Sequence, residues 1–402
     1  MTDLDEHIRR RLDRVPAPDL WPAIQDRVPT ATARRRPPRR SLVGAGALAT
    51  VLAVVLVVTV VVRDDGRDQQ ELQVGGREVP TSTTAALPPP SGPRIVSSVT
   101  VDVGVGPMTA GFGSVWVGSS LHRTLVQIDP ATNETLATIS LGTGTGTGTG
   151  AVGLAVGEGA VWAVGGGDPA NPRSGPLAGE AFLMRIDPRT NTVSARLPLE
   201  GAYGVAVGPG AIWVASAREH LWRVDPVRMQ VTARIAIDRP HGVAATADAV
   251  WVTSGRGEVM VERVDPSRNV VTASIATGSS AATVAGVAIG TQLVWVGSGG
   301  DGTVTGIDPA TNTVRTTLRV GGRSFQSLAD DGAGTLWVAS SPIPASPSSP
   351  TPTSPSTILR VDVATGKSSP PLDVGPQVTG VAFFDGALWV GDRSRGSVLK
   401  IQ

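Results

Sequence analysis

Gly204-Val205-Ala206-Val207-Gly208, followed by Ile212-Trp213-Val214 and then Val224-Asp225, is the stretch that decides the fold. Its middle piece, apolar–Trp–apolar, recurs at Val115-Trp116-Val117, Val161-Trp162-Ala163, Val250-Trp251-Val252, Val294-Trp295-Val296, Leu336-Trp337-Val338 and Leu388-Trp389-Val390. Seven of the nine tryptophans stand in these runs, at successive steps of 46, 51, 38, 44, 42 and 52 residues. A period of about 40–50 residues made of short strands is the signature of a propeller array. Each Trp run marks one blade, so seven blades are expected.

Working outward, a glycine-punctuated apolar strand precedes each Trp run. A third strand follows it and ends in Ile128-Asp129, Ile186-Asp187, Val224-Asp225, Val264-Asp265, Ile307-Asp308 or Val361-Asp362. A turn and a fourth strand complete the unit, which describes one four-stranded antiparallel blade. Blades stack face on face, so their middle strands are covered on both sides. That is why the Trp strand reads Val-Trp-Val and does not alternate apolar with polar. Glycines interrupt every run and no 3.6-residue period is sustained, which excludes a helical reading. The fold class is therefore all-β.

Asp129-Pro130-Ala131-Thr132-Asn133 and Asp308-Pro309-Ala310-Thr311-Asn312 are nearly the same turn. Proline fixes φ at the second position, Asn tolerates a left-handed backbone, and the Asp carboxylate can accept the turn's own amides. We read these Asp residues as turn formers, because they repeat around the ring without companion ligands. The pattern loosens at Asp225-Pro226-Val227-Arg228 and Asp362-Val363-Ala364-Thr365.

After Trp389 the chain has one more strand, Ser397 to Ile401, so the last blade is a strand short. A spare strand lies ahead of the first repeat, from Arg94 to Val103. Its pairing with Ser397–Ile401 is expected to close the ring and remove the exposed sheet edges.

Ile128-Asp129-Pro130-Ala131-Thr132-Asn133, with Ala137-Thr138-Ile139-Ser140-Leu141-Gly142 after it, resembles the YVTN-type β-propeller repeat. The Gly-Val-Ala-Val-Gly and Trp-Val arrangement is similar to the streptogramin-lyase-like propellers. The resemblance covers residues 94–402 and implies the fold. It leaves the function open among lyases, lactonases and binding modules. In the lyase relatives, histidines and acids at the channel mouth carry the elimination. The resemblance places His241 at such a position, without an evident partner glutamate.

Residues 41–62 carry no charge and are mostly Val, Leu and Ala. A helix of that length spans about 33 Å, enough for a bilayer core of roughly 30 Å, so a transmembrane helix is expected. A cleaved signal peptide would have a shorter apolar core and would not follow forty mostly polar residues. Arg34, Arg35, Arg36, Arg39 and Arg40 precede the span, and Asp64, Asp65, Asp68 and Glu71 follow it. Excess arginine stays on the cytoplasmic side. The expectation is a single-pass cell-membrane protein with a cytoplasmic N-terminus and an extracytoplasmic propeller. Beside a membrane span the arginine run reads as a topology signal, so no nucleic-acid partner is expected. The near-neutral whole-chain charge of +1 hides this asymmetry.

Residues 63–93 are rich in Pro, Ser, Thr and Gly and read as a linker, since they cannot bury enough apolar surface to order themselves. The chain has no cysteine, so neither disulfides nor a lipid-anchored cysteine is expected. In residues 1–40, Leu4, Ile8, Leu12 and Val15, then Leu20, Ile24 and Val28, recur at helical spacing. They suggest two short amphipathic helices split near Pro16 and Pro18. Helices that short need a partner or a membrane surface. The stub resembles the cytoplasmic ends of membrane-bound anti-sigma-like proteins, which implies a sigma factor as cytoplasmic partner. It lacks a zinc-binding His-Cys-Cys set, with His7 the only ligand type present.

Chemistry-bearing motifs are sparse. The run Gly142 to Gly150 lacks the Lys and following helix that a phosphate loop requires. Gly165–Gly179 and Ser341–Thr357 read as loop inserts. No nucleophile elbow, Ser-His-Asp spacing or zinc-ligand pair is present, and no metal site or cofactor is expected. Topology sharpens the search, because second-to-third-strand loops and inter-blade loops emerge on one face of a propeller. That face should hold His122, Arg123, Asp168, Arg218, His220, Arg256, Asp301, Asp392 and Arg393. Inner strands should bring Tyr203, the sole tyrosine, and His241 to the channel mouth. The leading expectation is a module that binds an envelope ligand or protein and relays to the cytoplasmic stub. The alternative is a lyase- or lactonase-like enzyme on a small cyclic substrate, with His241 as general base and a divalent cation bound.

Overall fold

The computed structural model describes residues 92–402 apart from 102–103, 120, 143–149, 167–180, 256, 281–285, 299–301, 321–323 and 342–354. The expected stub, membrane span and linker at 1–40, 41–62 and 63–93 lie outside the described residues, save for residues 92–93. Among the described residues, no helix is long and apolar enough to cross a membrane.

Seven four-stranded antiparallel sheets form the seven expected blades. Six run in simple sequence order: Val105–Ser140, Ala151–Pro198, Ala202–Ala236, Val243–Ser280, Val287–Arg319 and Ser324–Gly375. The first strands of neighbouring blades pack against each other around the ring. Blade 7 takes three strands from Val378–Ile401 and its outermost from Ile95–Thr100. Val99 faces Val398 and Ile95 faces Ile401 in that pairing. Reciprocal backbone bonds between Arg94 and Gln402, at 2.8 and 3.0 Å, extend it past the strand ends.

The apolar–Trp–apolar run at the centre of each Trp strand is buried, as its sequence requires. Ser114–Ser119, Ala211–Ser216 and Ala387–Asp392 contain no partly exposed residue. Each of the seven tryptophans is at most 5% exposed and packs between blades. Truncating one to Ala should cost about 3–5 kcal/mol.

The Asp turns behave as the sequence suggests. Asp308 Oδ1 accepts the amide of Ala310 at 2.8 Å, and Asp129 Oδ1 accepts that of Ala131 at 2.8 Å. Asn133, Asn191, Asn269 and Asn312 all take φ between 56° and 61°. Where the motif loosens, Met229 at φ 51° and Gly366 at φ 68° fill the same left-handed place.

A second use of these turns is not visible in the motif itself. The residue opposite the tryptophan on the third strand is often a cation: Arg223 faces Trp213, Arg263 faces Trp251 and Lys400 faces Trp389. Each lies 5.2–5.5 Å from the centroid of its tryptophan ring. Each also reaches the turn of the next blade. Arg223 donates to Asn269 Oδ1 at 3.0 Å, Arg263 to Asn312 Oδ1 at 2.9 Å, and Lys400 to the Pro130 carbonyl at 2.7 Å. The cation thus ties the core of one blade to the rim of its neighbour.

Candidate functional site

The inner strands set the geometry of the channel mouth. At their loop-bearing ends the register slips, between Ala202 and Gly204 in blade 3 and between Val378 and Gly380 in blade 7. The slipped residue stands just before the strand glycine. In blades 2, 3 and 7 that residue is Val152, Tyr203 and Thr379, and in blade 4 His241 likewise precedes a glycine, just ahead of the strand Val243–Ala245. The glycine is required by close approach. A Cβ on Gly153 would lie 2.8 Å from the Tyr203 carbonyl, and one on Gly204 would lie 2.7 Å from the His241 carbonyl. The Gly-Val-Ala-Val-Gly strand is therefore a contact surface for the next blade; it carries Tyr203 in blade 3, and His241 stands just ahead of its counterpart in blade 4.

Both side chains are half-buried. Burial pushes the Tyr203 phenol above its ordinary value. Burial, helped by the positive charge of Arg239, holds the His241 imidazole below its ordinary value. His241 is fixed through its backbone, whose amide donates to the Thr253 carbonyl at 2.8 Å. No hydrogen bond from a described residue reaches the Tyr203 hydroxyl or the His241 ring.

The other residues of this face are placed by their turns. Asp392 is fully buried, at the Trp-strand position where other blades carry Ser119, Ser216, Ser254 and Ser298. Its Oδ1 accepts the amides of Ser394 at 3.0 Å and Arg395 at 3.3 Å, and Arg395 lies 3.4 Å from Oδ2. Ser119 does the same work in blade 1, accepting the His122 amide at 2.9 Å. Asp392 is thereby tied into the turn between the second and third strands. Arg393 is exposed, and its amide donates to the Gln377 carbonyl at 2.9 Å.

His122 is exposed, while Arg123 takes a left-handed φ of 52° and accepts the Leu141 amide at 2.8 Å through its carbonyl. Arg218 pairs with Glu200 at 2.9 Å, both more than half exposed, joining a hairpin of blade 3 to the linker that enters that blade. His220 is 3% exposed. Its Nδ1 lies 2.7 Å from the Arg218 carbonyl, so we assign the proton to Nδ1. Its ring meets Trp222 edge-on at 4.1 Å, and burial lowers its pKa. Asp168, Arg256 and Asp301 lie outside the described residues. The structure thus places Tyr203 on the inner strand of blade 3 and His241 just ahead of that of blade 4, while His220 and Asp392 are engaged inside their own blades.

Thr379 was not singled out by sequence, although its hydroxyl is buried without a hydrogen-bond partner at the equivalent place in blade 7. The signal that finds it is register: it precedes Gly380-Val381-Ala382 as Tyr203 precedes Gly204-Val205-Ala206. Among the described residues, no three His, Cys, Asp or Glu side chains are grouped to hold a metal.

No protein-family model matches the chain, and no curated protein matches it. Solved structures do share its architecture. Kuenenia stuttgartiensis hydrazine synthase is similar at a TM-score of 0.51 and 17% identity, over 63% of this chain and 77% of that one. Streptogramin B lyase is similar at a TM-score of 0.57 and 12% identity, over 76% of this chain and 96% of that one. At these identities the likeness is one of fold, and it agrees with the strand order in making the chain a seven-bladed β-propeller.

Proposed function

We propose that this chain is a ligand- or protein-binding module, displayed outside the cell by a membrane span at 41–62 and linked through it to a cytoplasmic partner of the stub. The observation that carries the binding reading is the Tyr203 and His241 pair. A phenol on the inner strand of blade 3 and an imidazole just ahead of that of blade 4 are half-buried and without a hydrogen-bond partner among the described residues. Their polar atoms are not sealed from solvent, so both are open to a ligand that replaces water at them. The charge-free span and its arginine flank support the topology. The amphipathic pattern of residues 1–40 supports a docking role for the stub, with a sigma factor as the partner class.

A second reading, a lyase or lactonase acting on a small cyclic substrate, is favoured by one observation. The depressed pKa of His241 keeps its imidazole neutral near pH 7, which a general base needs. The likeness to streptogramin B lyase is compatible with it as fold.

One experiment separates the two. The full-length chain is challenged with envelope glycan fragments and with cyclic esters, with and without divalent cations, while melting temperature and turnover are followed. Ligand-dependent stabilisation lost in Tyr203→Phe and His241→Ala, without turnover, supports the binding module. Turnover abolished by His241→Ala overturns it in favour of the enzyme.

A further inference from the structure

The seam between blades 2 and 3 holds more buried donors than acceptors. Trp222 packs against the core these two blades share, with Trp162, Leu183 and Leu199. Blades 1, 2, 6 and 7 fill its place on the third strand with apolar Val126, Met184, Leu359 and Leu399. The Trp222 indole N–H is buried and reaches no acceptor among the described residues. Arg185, opposite Trp162, has a buried Nε with no acceptor either. Arg223 and Arg263 end on Asn269 and Asn312 of the next blade, whereas blade 3 offers Met229 at that place in its turn.

His220 and Arg234 flank Trp222. His220 precedes it by two residues on the same strand, and the two rings touch edge to face with centroids 4.1 Å apart. Arg234 faces it from the outer strand, with its guanidinium carbon 5.4 Å from the Trp222 ring centroid. Arg234 Nη2 lies 3.3 Å from His220 Nδ1, but the proton on that nitrogen goes to the Arg218 carbonyl at 2.7 Å. Two donors then face each other, and Arg234 gains no acceptor there. Glu200, the acid of this corner, is taken by Arg218 at 2.9 Å. His220 is 3% exposed, and its Nε2 is a buried acceptor with no donor among the described residues. Buried polar groups ordinarily have a partner, so this corner is short of one that both accepts and donates.

We propose that it is a phosphate site, apart from the channel mouth, taking inorganic phosphate or a phosphate monoester. Phosphate brings anionic oxygens that accept from the Arg234 guanidinium and the Trp222 N–H, and a hydroxyl that donates to His220 Nε2. Both ring nitrogens are shut from solvent, so the ligand enters as Arg234, a long side chain lying over the indole, swings outward.

Titration of the full-length protein at pH 7, read by calorimetry and melting temperature, tests this. Inorganic phosphate at about ten times its Kd should raise the melting temperature by about 2 °C. Trp222→Phe, which keeps a ring and loses the N–H, and Arg234→Gln should each weaken binding by about tenfold or more. Arg189→Gln, which removes a 90% exposed cation from the blade 2 turn, should not. Arg234→Lys takes the place of Arg234→Gln if that variant does not fold, again with a loss, because the flat fork is gone. Sulfate has no hydroxyl for Nε2 and should bind about tenfold more weakly at equal ionic strength. Glycerol 3-phosphate is titrated beside inorganic phosphate, and the tighter of the two identifies the source. No saturable effect of phosphate, undiminished binding in Trp222→Phe or in the Arg234 variant, or sulfate binding equal to that of phosphate overturns the proposal.

Discussion

Lys400 and Pro130 are 270 positions apart in sequence, yet the ammonium of the one donates to the carbonyl of the other at 2.7 Å. The same ammonium lies 5.2 Å from the ring centroid of Trp389. This contact joins blade 7 to blade 1 where the ring closes, and its chemistry is shared with Arg223 and Arg263 elsewhere. A stacked cation contributes about 0.5–2 kcal/mol, and a hydrogen bond from a charged donor about 1.5–3 kcal/mol. Lys400→Met should therefore lower stability by about 2 kcal/mol and the melting temperature by a few degrees, with Lys400→Arg retaining most of it. Calorimetry on the three proteins checks this, and coincident melts would refute the closing role.

The outer strand of blade 7 contributes one well-buried side chain, Val99 at 6% exposure, and a ladder of backbone bonds to Ser397–Ile401. Deleting residues 94–103 leaves that edge unpaired, and unpaired edges recruit other chains. The deletion should abolish cooperative melting and drive association at micromolar concentration. A monomeric mutant that melts like the parent in light scattering and calorimetry would contradict it.

Gly204→Ala places a methyl group 2.7 Å from the His241 carbonyl, which is backbone and cannot swing aside. Overpacking of that kind costs about 1–3 kcal/mol. Gly142→Ala, with open space around it, should be neutral. Denaturant midpoints for both variants check the pair; an equal effect would show that the inner strand does not need its glycine.

Acid should act on the buried His220 and the half-buried His241. His220 and His241 both have folded pKa values below the ordinary value near 6.5, chiefly from burial. The unfolded chain then binds more protons than the folded one in that range, so stability present above about pH 6.5 is lost as pH falls toward 5. Replacing them as His220→Phe and His241→Gln should flatten the decline of melting temperature between pH 7 and 5. An unchanged slope in the double variant would rule the two residues out as its cause.

Sequence alone carried the architecture because its signals are repeated seven times. Trp213 and its six counterparts, the Asp308-type turns and the unpaired strand at 94–103 each follow from a local rule applied around a ring. The site was less legible for a physical reason. The sequence put His220 and Asp392 in loops of one face, whereas the structure has them at strand ends, His220 opening a third strand and Asp392 closing a Trp strand; residue type alone does not show whether they point at solvent or close their own turn. That depends on the serine-like position Asp392 occupies in its strand and on the linker against which Arg218 packs. The cations over the tryptophans were hidden for the same reason, since the pairing of Lys400 with Pro130 is fixed by ring closure and by no spacing in the sequence.

Sharing blade 7 between the two ends of the propeller imposes an order in time as well as in space. At about 5–20 residues per second, the roughly 300 residues between Ile95 and Ser397 take some 15–60 s to synthesise. Throughout that interval Ile95–Thr100 has no partner strand, and the blades that have emerged can form only an open arc. The ring can shut only when Ser397–Ile401 has emerged, so every prematurely terminated chain is left with a bare edge. The fold therefore carries its own check on full-length synthesis, with an unclosed product marked by the strand it failed to cover.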